Sequence, residues 1–442
     1  MKQKIYFAKY CLLKHKTLSK YRQVMKEQYL DAETLHKLNW ERTKAIVTHA
    51  YENAPFYRQR FNKIDFHPKD LKNETDFEQL PPLTRADIQN NTDNIIASGY
   101  TKKMLNKITT GGSTGEPLTV YHPKDVARIT LLWRMLSWWG LKPGVNMATI
   151  YRETESLKKR LINKAIGWPV SVLQLNAANY GPKEIEEFVA QFNRSTPVLL
   201  HGYVGAVDDI ASYILKEKIK TKPPKAIWVT SAPLSSVQEA RIQKAFGAPV
   251  CDQYGSCEVF YSAAECSRKE GLHMFSDVQR IDFLKDNFHS VQVGKLGQIA
   301  LTDFDNYAFP LIRYLNGDYG RRLTQPCSCG RTLPLMDKVS GRISERLIMP
   351  SGRRVSGEYM TTIFDDYPEL VERFQVYQGS DYNIAIRVVC RLQTPETLRI
   401  LERIKGKVGE QTSHEVDVKI VFVTKIPTYR GKLRFVVSDA SH

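Results

Sequence analysis

Between residues 198 and 246, short apolar runs alternate with amphipathic helical patterns, and this alternation limits the fold more than any other feature of the chain. Val198–Leu200 is followed by a helical pattern over Val207–Lys218, and Ala226–Val229 by a second over Ser236–Phe246. Apolar runs this short read as strands covered on both faces, and strands separated by helices are joined as parallel neighbours. The middle of the chain is therefore predicted to be α/β, in layers with largely parallel strands. Ligands of such sheets bind beyond the strand carboxyl ends. Two polar turns stand at such ends: Ser231–Pro233 after the strand Ala226–Thr230, and Tyr254–Glu258 after Val250–Gln253.

The flanks differ from the middle. Residues 1–80 carry long charged periodic runs and read as helical. Thr84, with Asp87 three residues on, reads as a helix cap. The last hundred residues read as a small α+β unit of ferredoxin-like type, with strands over Phe374–Tyr377, Tyr382–Arg391 and Glu415–Val423 and a helix over Pro395–Gly409. A chain of 442 residues is too long for one core and predicts two or three domains. The charged run Arg342–Arg346 lacks core periodicity and marks a boundary. The expected division is a large domain over 1–341, a hinge at 342–346, and a small C-terminal domain over 347–442.

No segment reaches the roughly 18–20 uncharged apolar residues of a membrane span. The nearest, Ile129–Leu141, is short and carries Arg134. The N-terminus is basic but has no apolar signal core. Seven cysteines, an odd count, fit a reducing compartment, so a cytoplasmic protein is expected. The formal net charge is +17. Residues 1–28 contribute Lys2, Lys4, Lys9, Lys14, Lys16, Lys20, Arg22 and Lys26 against Glu27. That excess reads either as a solvated basic helix or as a surface for peripheral contact with an anionic membrane. Basic and aromatic residues are not interleaved on one face, so no nucleic-acid partner is expected.

Residues Thr109–Pro117 read TTGGSTGEP. Glycines and hydroxyls at this density let backbone N–H groups approach a polyphosphate closely, although a solvated loop has the same composition. It is not a Walker A loop, because no Gly-Lys-Ser/Thr follows. Further along come SAP at Ser231–Pro233, DQYGSCE at Asp252–Glu258, PLIRYLNGD at Pro310–Asp318, SGRISERL at Ser340–Leu347 and PTYRGK at Pro427–Lys432. In this order and spacing the chain resembles the acyl-adenylate-forming enzymes, the superfamily of acyl-CoA synthetases, nonribosomal peptide adenylation domains and luciferases. YENAPFYRQRF at Tyr51–Phe61 and CSCGR at Cys327–Arg331 make it most similar to phenylacetate–CoA ligase-like proteins.

The resemblance implies an ATP-dependent ligase with Mg²⁺ as cofactor, a large domain, and a small C-terminal domain that swings between two orientations. Thr110, Gly111, Gly112, Ser113, Thr114 and Gly115 would cradle the phosphates, with Gly111 in place of the usual serine. Ser231, Ala232, Pro233, Tyr254 and Gly255 would contact the nucleoside, Tyr254 by stacking on adenine. Asp318 would accept from the ribose hydroxyls, and Arg342 would bind ribose or phosphate. Glu258 would hold Mg²⁺, next to Cys257 where a threonine is usual. Lys432 would be the catalytic residue, and Glu345 occupies the hinge position.

The resemblance leaves the acceptor open. Coenzyme A is implied by the phenylacetate–CoA ligase likeness. A branch of the same group, found in capsule and lipopolysaccharide synthesis, points instead to an amine or a sugar nucleotide. A non-catalytic scaffold on the same fold is the third reading, and it would be favoured by loss of Glu258, Asp318 or Lys432, all of which are present. Independently, Cys266, His273, Cys327 and Cys329 offer three thiolates and one imidazole, a donor set for structural zinc, or else reduced, half-buried thiols. The identity of the carboxylic acid and the oligomeric state are not legible.

Overall fold

The computed structural model describes residues 2–13, 15–110, 118–124, 128–151, 162, 165, 167–177, 180–339, 347–351, 354–355, 360, 363–364, 367, 370–390, 394–429 and 432–440. Two compact units divide the chain. One comprises Gln3–Pro143 and Gln253–Val339, the other Gly144–Asp252 and Ser340–His442. The small α+β part predicted at the C-terminus falls in the same unit as the parallel-strand layer.

The first unit opens with helices, numbered along the chain: α1 (Lys2–Leu13), α2 (His15–Glu27), α3 (Ala32–Asn53), α4 (Pro55–Asn62), α5 (Glu74–Glu78) and α6 (Arg85–Ile95). The cap read at Thr84 forms. Its hydroxyl accepts from the Asp87 amide at 3.1 Å, and the Asp87 carboxylate accepts from the Thr84 amide at 2.8 Å. Each bond satisfies a donor that the first helical turn leaves unpaired.

Helix α7 (Ile129–Trp138) is a core helix. Its one charge, Arg134, pairs with Asp277 with both side chains fully buried, and the guanidinium lies 4.3 Å from the Phe275 ring. No described helix is long and apolar enough to cross a membrane. Tyr6, Phe7, Tyr10 and Tyr21 of α1 and α2 pack their rings around Trp133 of α7 at 4.9–5.9 Å. The aromatic face of the basic N-terminal helices is thereby taken up inside the unit. Lys4, Lys16, Arg22 and Lys26 stay exposed, while Lys20 pairs with Asp305 at 2.8 Å.

The strands of this unit are mostly antiparallel. Strands β1 (Leu105–Thr110) and β2 (Leu118–Pro123) form a hairpin. Strands β10 (Gln279–Leu284), β11 (Gly297–Asp303) and β12 (Tyr314–Gly320) form a three-stranded sheet. Strand β7 (Val250–Ser256) brings the chain into the unit from the other one. It pairs with β8 (Phe260–Glu265), which continues to β9 (Leu272–Met274) and β13 (Leu335–Met336).

The second unit holds the predicted parallel layer. Strands β3 (Met147–Tyr151), β4 (Val172–Asn176), β5 (Leu199–Tyr203) and β6 (Ala226–Thr230) are all parallel, in the order β6–β5–β3–β4. Helices α8 (Pro182–Ser195), α9 (Val204–Lys216) and α10 (Ser236–Phe246) alternate with them. Ile185, Phe188 and Phe192 of α8, Ile210 and Ile214 of α9, and Ile242 and Phe246 of α10 pack against Ile150, Leu200, Ile227 and Val229 of the sheet.

After a short pair, β14 (Leu347–Ile348) and β15 (Arg354–Val355), the C-terminal sheet runs β18–β17–β16–β21. These strands are Val418–Phe422, Ile384–Val389, Arg373–Gln378 and Val436–Ser438, with α11 (Pro395–Gln411) packed against β18. A last hairpin, β19 (Thr428–Tyr429) with β20 (Lys432–Leu433), carries the late Pro…Gly-Lys element. Two adjacent acids of α9 tie this part to the layer. Asp208 pairs with Arg241 at 2.7 Å, which also donates to the Glu372 carbonyl, and Asp209 pairs with Arg373.

Candidate functional site

The phosphate-loop candidate joins the two strands of a hairpin. Thr110 and Leu118 are direct partners at its open end. Gly111, Gly112, Ser113, Thr114 and Gly115 lie outside the described residues, as does the side chain of Thr110.

Strand β7 delivers Tyr254 and Glu258 by an irregular turn. A Cβ on Gly255 would fall 2.0 Å from the Phe260 carbonyl oxygen, so only glycine fits where β7 and β8 approach at their bulge. Phe260 itself adopts a left-handed φ of 60°. A bulge in β12 meets this turn from the neighbouring sheet. Against β11, Leu315 and Tyr319 face Ala300 and Gln298, which crowds Asn316, Gly317 and Asp318 into the gap, with Gly317 at φ 86°.

These irregularities converge on one cluster. The Tyr254 hydroxyl donates to Asp318 Oδ2 at 3.0 Å, and the Asn316 amide donates to the Tyr254 oxygen at 2.6 Å and to Asp318 Oδ2 at 2.8 Å. Burial, reinforced by the Asp318 charge, holds the Tyr254 phenol well above its ordinary pKa, so it remains a hydrogen-bond donor. Glu258 is 6% exposed and accepts from the Tyr314 hydroxyl at 3.1 Å on Oε1. No described lysine, arginine or histidine pairs with it. Asn316 and Tyr314 act here without having been singled out from the sequence. Their signal was position, since both lie in PLIRYLNGD two and four residues before Asp318.

The Glu258 turn is held from behind by a network the sequence did not reveal. His122 of β2, 2% exposed, meets the Cys257 carbonyl through Nε2 at 3.1 Å. Its Nδ1 faces Arg128 Nη2 at 2.9 Å and the Asn306 amide at 3.3 Å. These partners fix the tautomer: Nε2 carries the proton, and Nδ1 accepts. Arg128 also pairs with Asp303 at 2.9 Å, donates to the Val259 carbonyl and covers the Phe260 ring at 4.3 Å. The strand leaving the glycine-rich loop is thus bonded directly to the turn that carries Glu258.

Burial, with the Arg128 charge second, pushes the His122 imidazole down to about 3. The unfolded chain takes up a proton near pH 6.5 that the folded chain refuses. The stability from His122 is therefore complete above about pH 6.5 and lost as pH falls toward about 3. His122→Gln keeps a donor and an acceptor but does not titrate. Between about pH 6 and 4, wild type should lose about 1.4 kcal/mol per pH unit more than His122→Gln. Denaturant unfolding of both proteins across that range checks this, and parallel curves contradict it.

In the second unit, Ser231–Pro233 follow β6 at its carboxyl end, where Thr230 pairs with Tyr203 of β5. Ser231 sits at φ 81°, a costly conformation for serine and of the kind that recurs at ligand sites. Tyr203 meets Tyr151 of β3 edge-to-face at 4.8 Å, and Tyr151 meets His201 at 5.1 Å. Trp138 and Trp139 are core residues, and Trp168 is exposed. Lys432 opens β20, paired with Tyr429, and this strand lies against α9. Its side chain, Arg342 and Glu345 lie outside what is described. Cys266, His273, Cys327 and Cys329 gather in the first unit, with all four donor atoms within 4.8 Å of one another.

Known proteins share this architecture. Residues 347–439 match the CapK C-terminal domain family. The chain is 26% identical over 416 residues to protein CapK of Staphylococcus aureus, covering 92% of this chain and 89% of that protein. It is 22% identical over 358 residues to the phenylacetate–coenzyme A ligase of Thermus thermophilus, covering 78% and 79%. The crystal structure of 2-hydroxyisobutyryl-CoA ligase in its postadenylation state superposes with a TM-score of 0.77 at 18% identity, over 94% of this chain and 91% of that one.

These likenesses make the chain similar in sequence to acyl-CoA ligases and give it the fold of an acyl-adenylate-forming ligase. Its sequence is phenylacetate–CoA ligase-like, and over 92% of its length it is similar to CapK.

Proposed function

We propose that this ligase joins a carboxylic acid to ATP, releasing pyrophosphate and forming an acyl-AMP, and then passes the acyl group to a thiol, coenzyme A. In the first step a carboxylate oxygen bonds the α-phosphorus as the bond to pyrophosphate breaks. In the second a thiolate bonds the acyl carbon and AMP leaves. One observation carries this reading: the Tyr254–Asn316–Asp318 cluster stands beside a buried Glu258 at the end of β7, where nucleotide contacts were expected.

The residues have distinct parts to play. Asp318, oriented by Tyr254 and Asn316, accepts from the ribose. The loop after β1 holds the phosphates, and Tyr254 borders the nucleoside. Glu258 fits a divalent cation, because a carboxylate this buried without a described cationic partner is costly until a positive charge arrives. The ion supplies charge neutralisation at the phosphates. Lys432 supplies positive charge at the α-phosphate during adenylation.

A second reading keeps the adenylation but transfers the acyl group to an amine, on an amino sugar or amino acid. It is favoured by the CapK likeness, which covers 92% of the chain and includes a match of residues 347–439 to the CapK C-terminal domain family. Incubation with ATP, Mg²⁺ and a panel of aryl and fatty acids, with coenzyme A or amines, distinguishes the two by mass spectrometry of the products. Acyl-CoA is the expected product. Acyl-amide formed without regard to coenzyme A would move the acceptor to an amine. Neither product with any acid would contradict both readings.

A further inference from the structure

We propose that Cys266, His273, Cys327 and Cys329 form a closed, structural zinc site that fastens the N-terminal helices to the sheet of the first unit. The four donors come from three separate segments. Cys266 directly follows β8, His273 is the central residue of β9, and Cys327 and Cys329 flank Ser328 in the turn before β13. The ladders bring them together: Ala264 of β8 faces His273, and His273 faces Leu335 of β13.

The spacing fits a tetrahedral ion. With Zn–S near 2.3 Å and Zn–N near 2.0 Å, ligands at tetrahedral angles should stand about 3.8 Å apart for S···S and about 3.5 Å for S···N. Cys266 Sγ and Cys327 Sγ are 3.6 Å apart, and Cys329 Sγ and His273 Nε2 are 3.4 Å apart. Both sulfurs of the first pair stand well beyond the roughly 2.05 Å of a disulfide. His273 Nδ1 faces the Leu333 carbonyl at 3.3 Å, which turns Nε2 toward the sulfurs as a lone-pair donor. Cys266 and His273 are fully buried and Cys327 is 6% exposed, so four protein donors close the shell with no open position.

Binding would release three thiol protons to solvent and leave the site with one net negative charge, beside Arg331. The six residues of β8, at about 3.3 Å each, set Cys266 about 20 Å along the strand from the Glu258 turn, a distance that suits structure, not catalysis.

The surroundings say what the ion would secure. The His273 ring meets Trp138 of α7 edge-on at 5.2 Å, and the Trp138 indole donates to the Gln28 side chain at 2.7 Å. Arg331 covers the same indole at 5.2 Å, and the Thr332 amide donates to the Gln28 carbonyl at 3.1 Å. Gln28 lies between α2 and α3. The metal would therefore hold the 327–332 turn in the one position from which it grips the N-terminal helices.

Full-length protein purified without chelator from zinc-supplied cells should hold about one zinc per chain by elemental analysis. Removing it with a chelator should make three further thiols reactive and open the segment around Gln28 to protease. Cys329→Ser, at the least buried ligand, should retain less than a tenth of the zinc. Because that variant can fail to fold, cobalt exchange into wild type provides a second test, with thiolate charge-transfer and tetrahedral d–d absorption expected. Metal-free protein whose thiols react equally with and without chelator would overturn the site. Bound zinc whose removal leaves protease cleavage near Gln28 unchanged would overturn the fastening role.

Discussion

Glu258→Gln is expected to lower acyl-AMP formation by at least about 100-fold while leaving the folded protein as stable as wild type or more so. The two halves of this result have one cause. Glu258 is buried, receives the Tyr314 hydroxyl on one oxygen, and has no described cationic side chain to neutralise it. A carboxylate in that position costs stability in the free protein and recovers it when a divalent cation binds. Glutamine keeps the acceptor for Tyr314 and the side-chain volume, but removes the charge that holds the ion. Activity and stability therefore move apart. Pyrophosphate release against Mg²⁺ concentration, run beside thermal unfolding, checks this. A variant that loses both together would make Glu258 a packing residue.

Lys432→Ala is expected to lower acyl-AMP formation by about 10²–10³-fold, the usual effect of removing one group that meets developing charge. Transfer from supplied acyl-AMP should be unchanged. The asymmetry follows from where charge accumulates: at the α-phosphorus during adenylation, and at the acyl carbon during transfer. Lys432 opens a two-residue strand paired with Tyr429 and set against α9, so alanine leaves the hairpin ladder intact. Single-turnover assays of each half-reaction, with chemically made acyl-AMP for the second, check this. Equal losses in both would remove Lys432 from its role.

What the sequence revealed follows the range of the interactions involved. Helix α10 spans Ser236–Phe246, as its 3.6-residue period indicates, and strand β6 includes the whole apolar run from Ala226. These are local signals. Thr84 and Asp87, three residues apart, announced their own cap. Tyr254 and Asp318 belong to separate motifs in the sequence, and the structure adds that they touch. The zinc donors were legible as residue types, whereas their convergence depends on the β8–β9–β13 ladders.

The His122–Arg128–Asp303 network was not legible. His122 lies 135 residues from Cys257, and nothing in YHPKD marks that histidine as buried or tautomer-specific. The bulge that presents Asn316 and Asp318 was equally hidden, because a bulge is a property of two strands in register and not of either alone. The N-terminal charge was visible, but Trp133 as the partner of its aromatic face was not.

If the Tyr254–Asn316–Asp318 cluster and Glu258 serve adenylation, the first half-reaction depends on both. Carboxylate-dependent exchange of labelled pyrophosphate into ATP, measured with no acceptor present, tests it most directly. Exchange is expected with at least one aryl, fatty or hydroxy acid in wild type, and is expected to be lost in both Asp318→Ala and Glu258→Gln. Exchange that persists in both variants, or its absence from wild type with every acid, would contradict it.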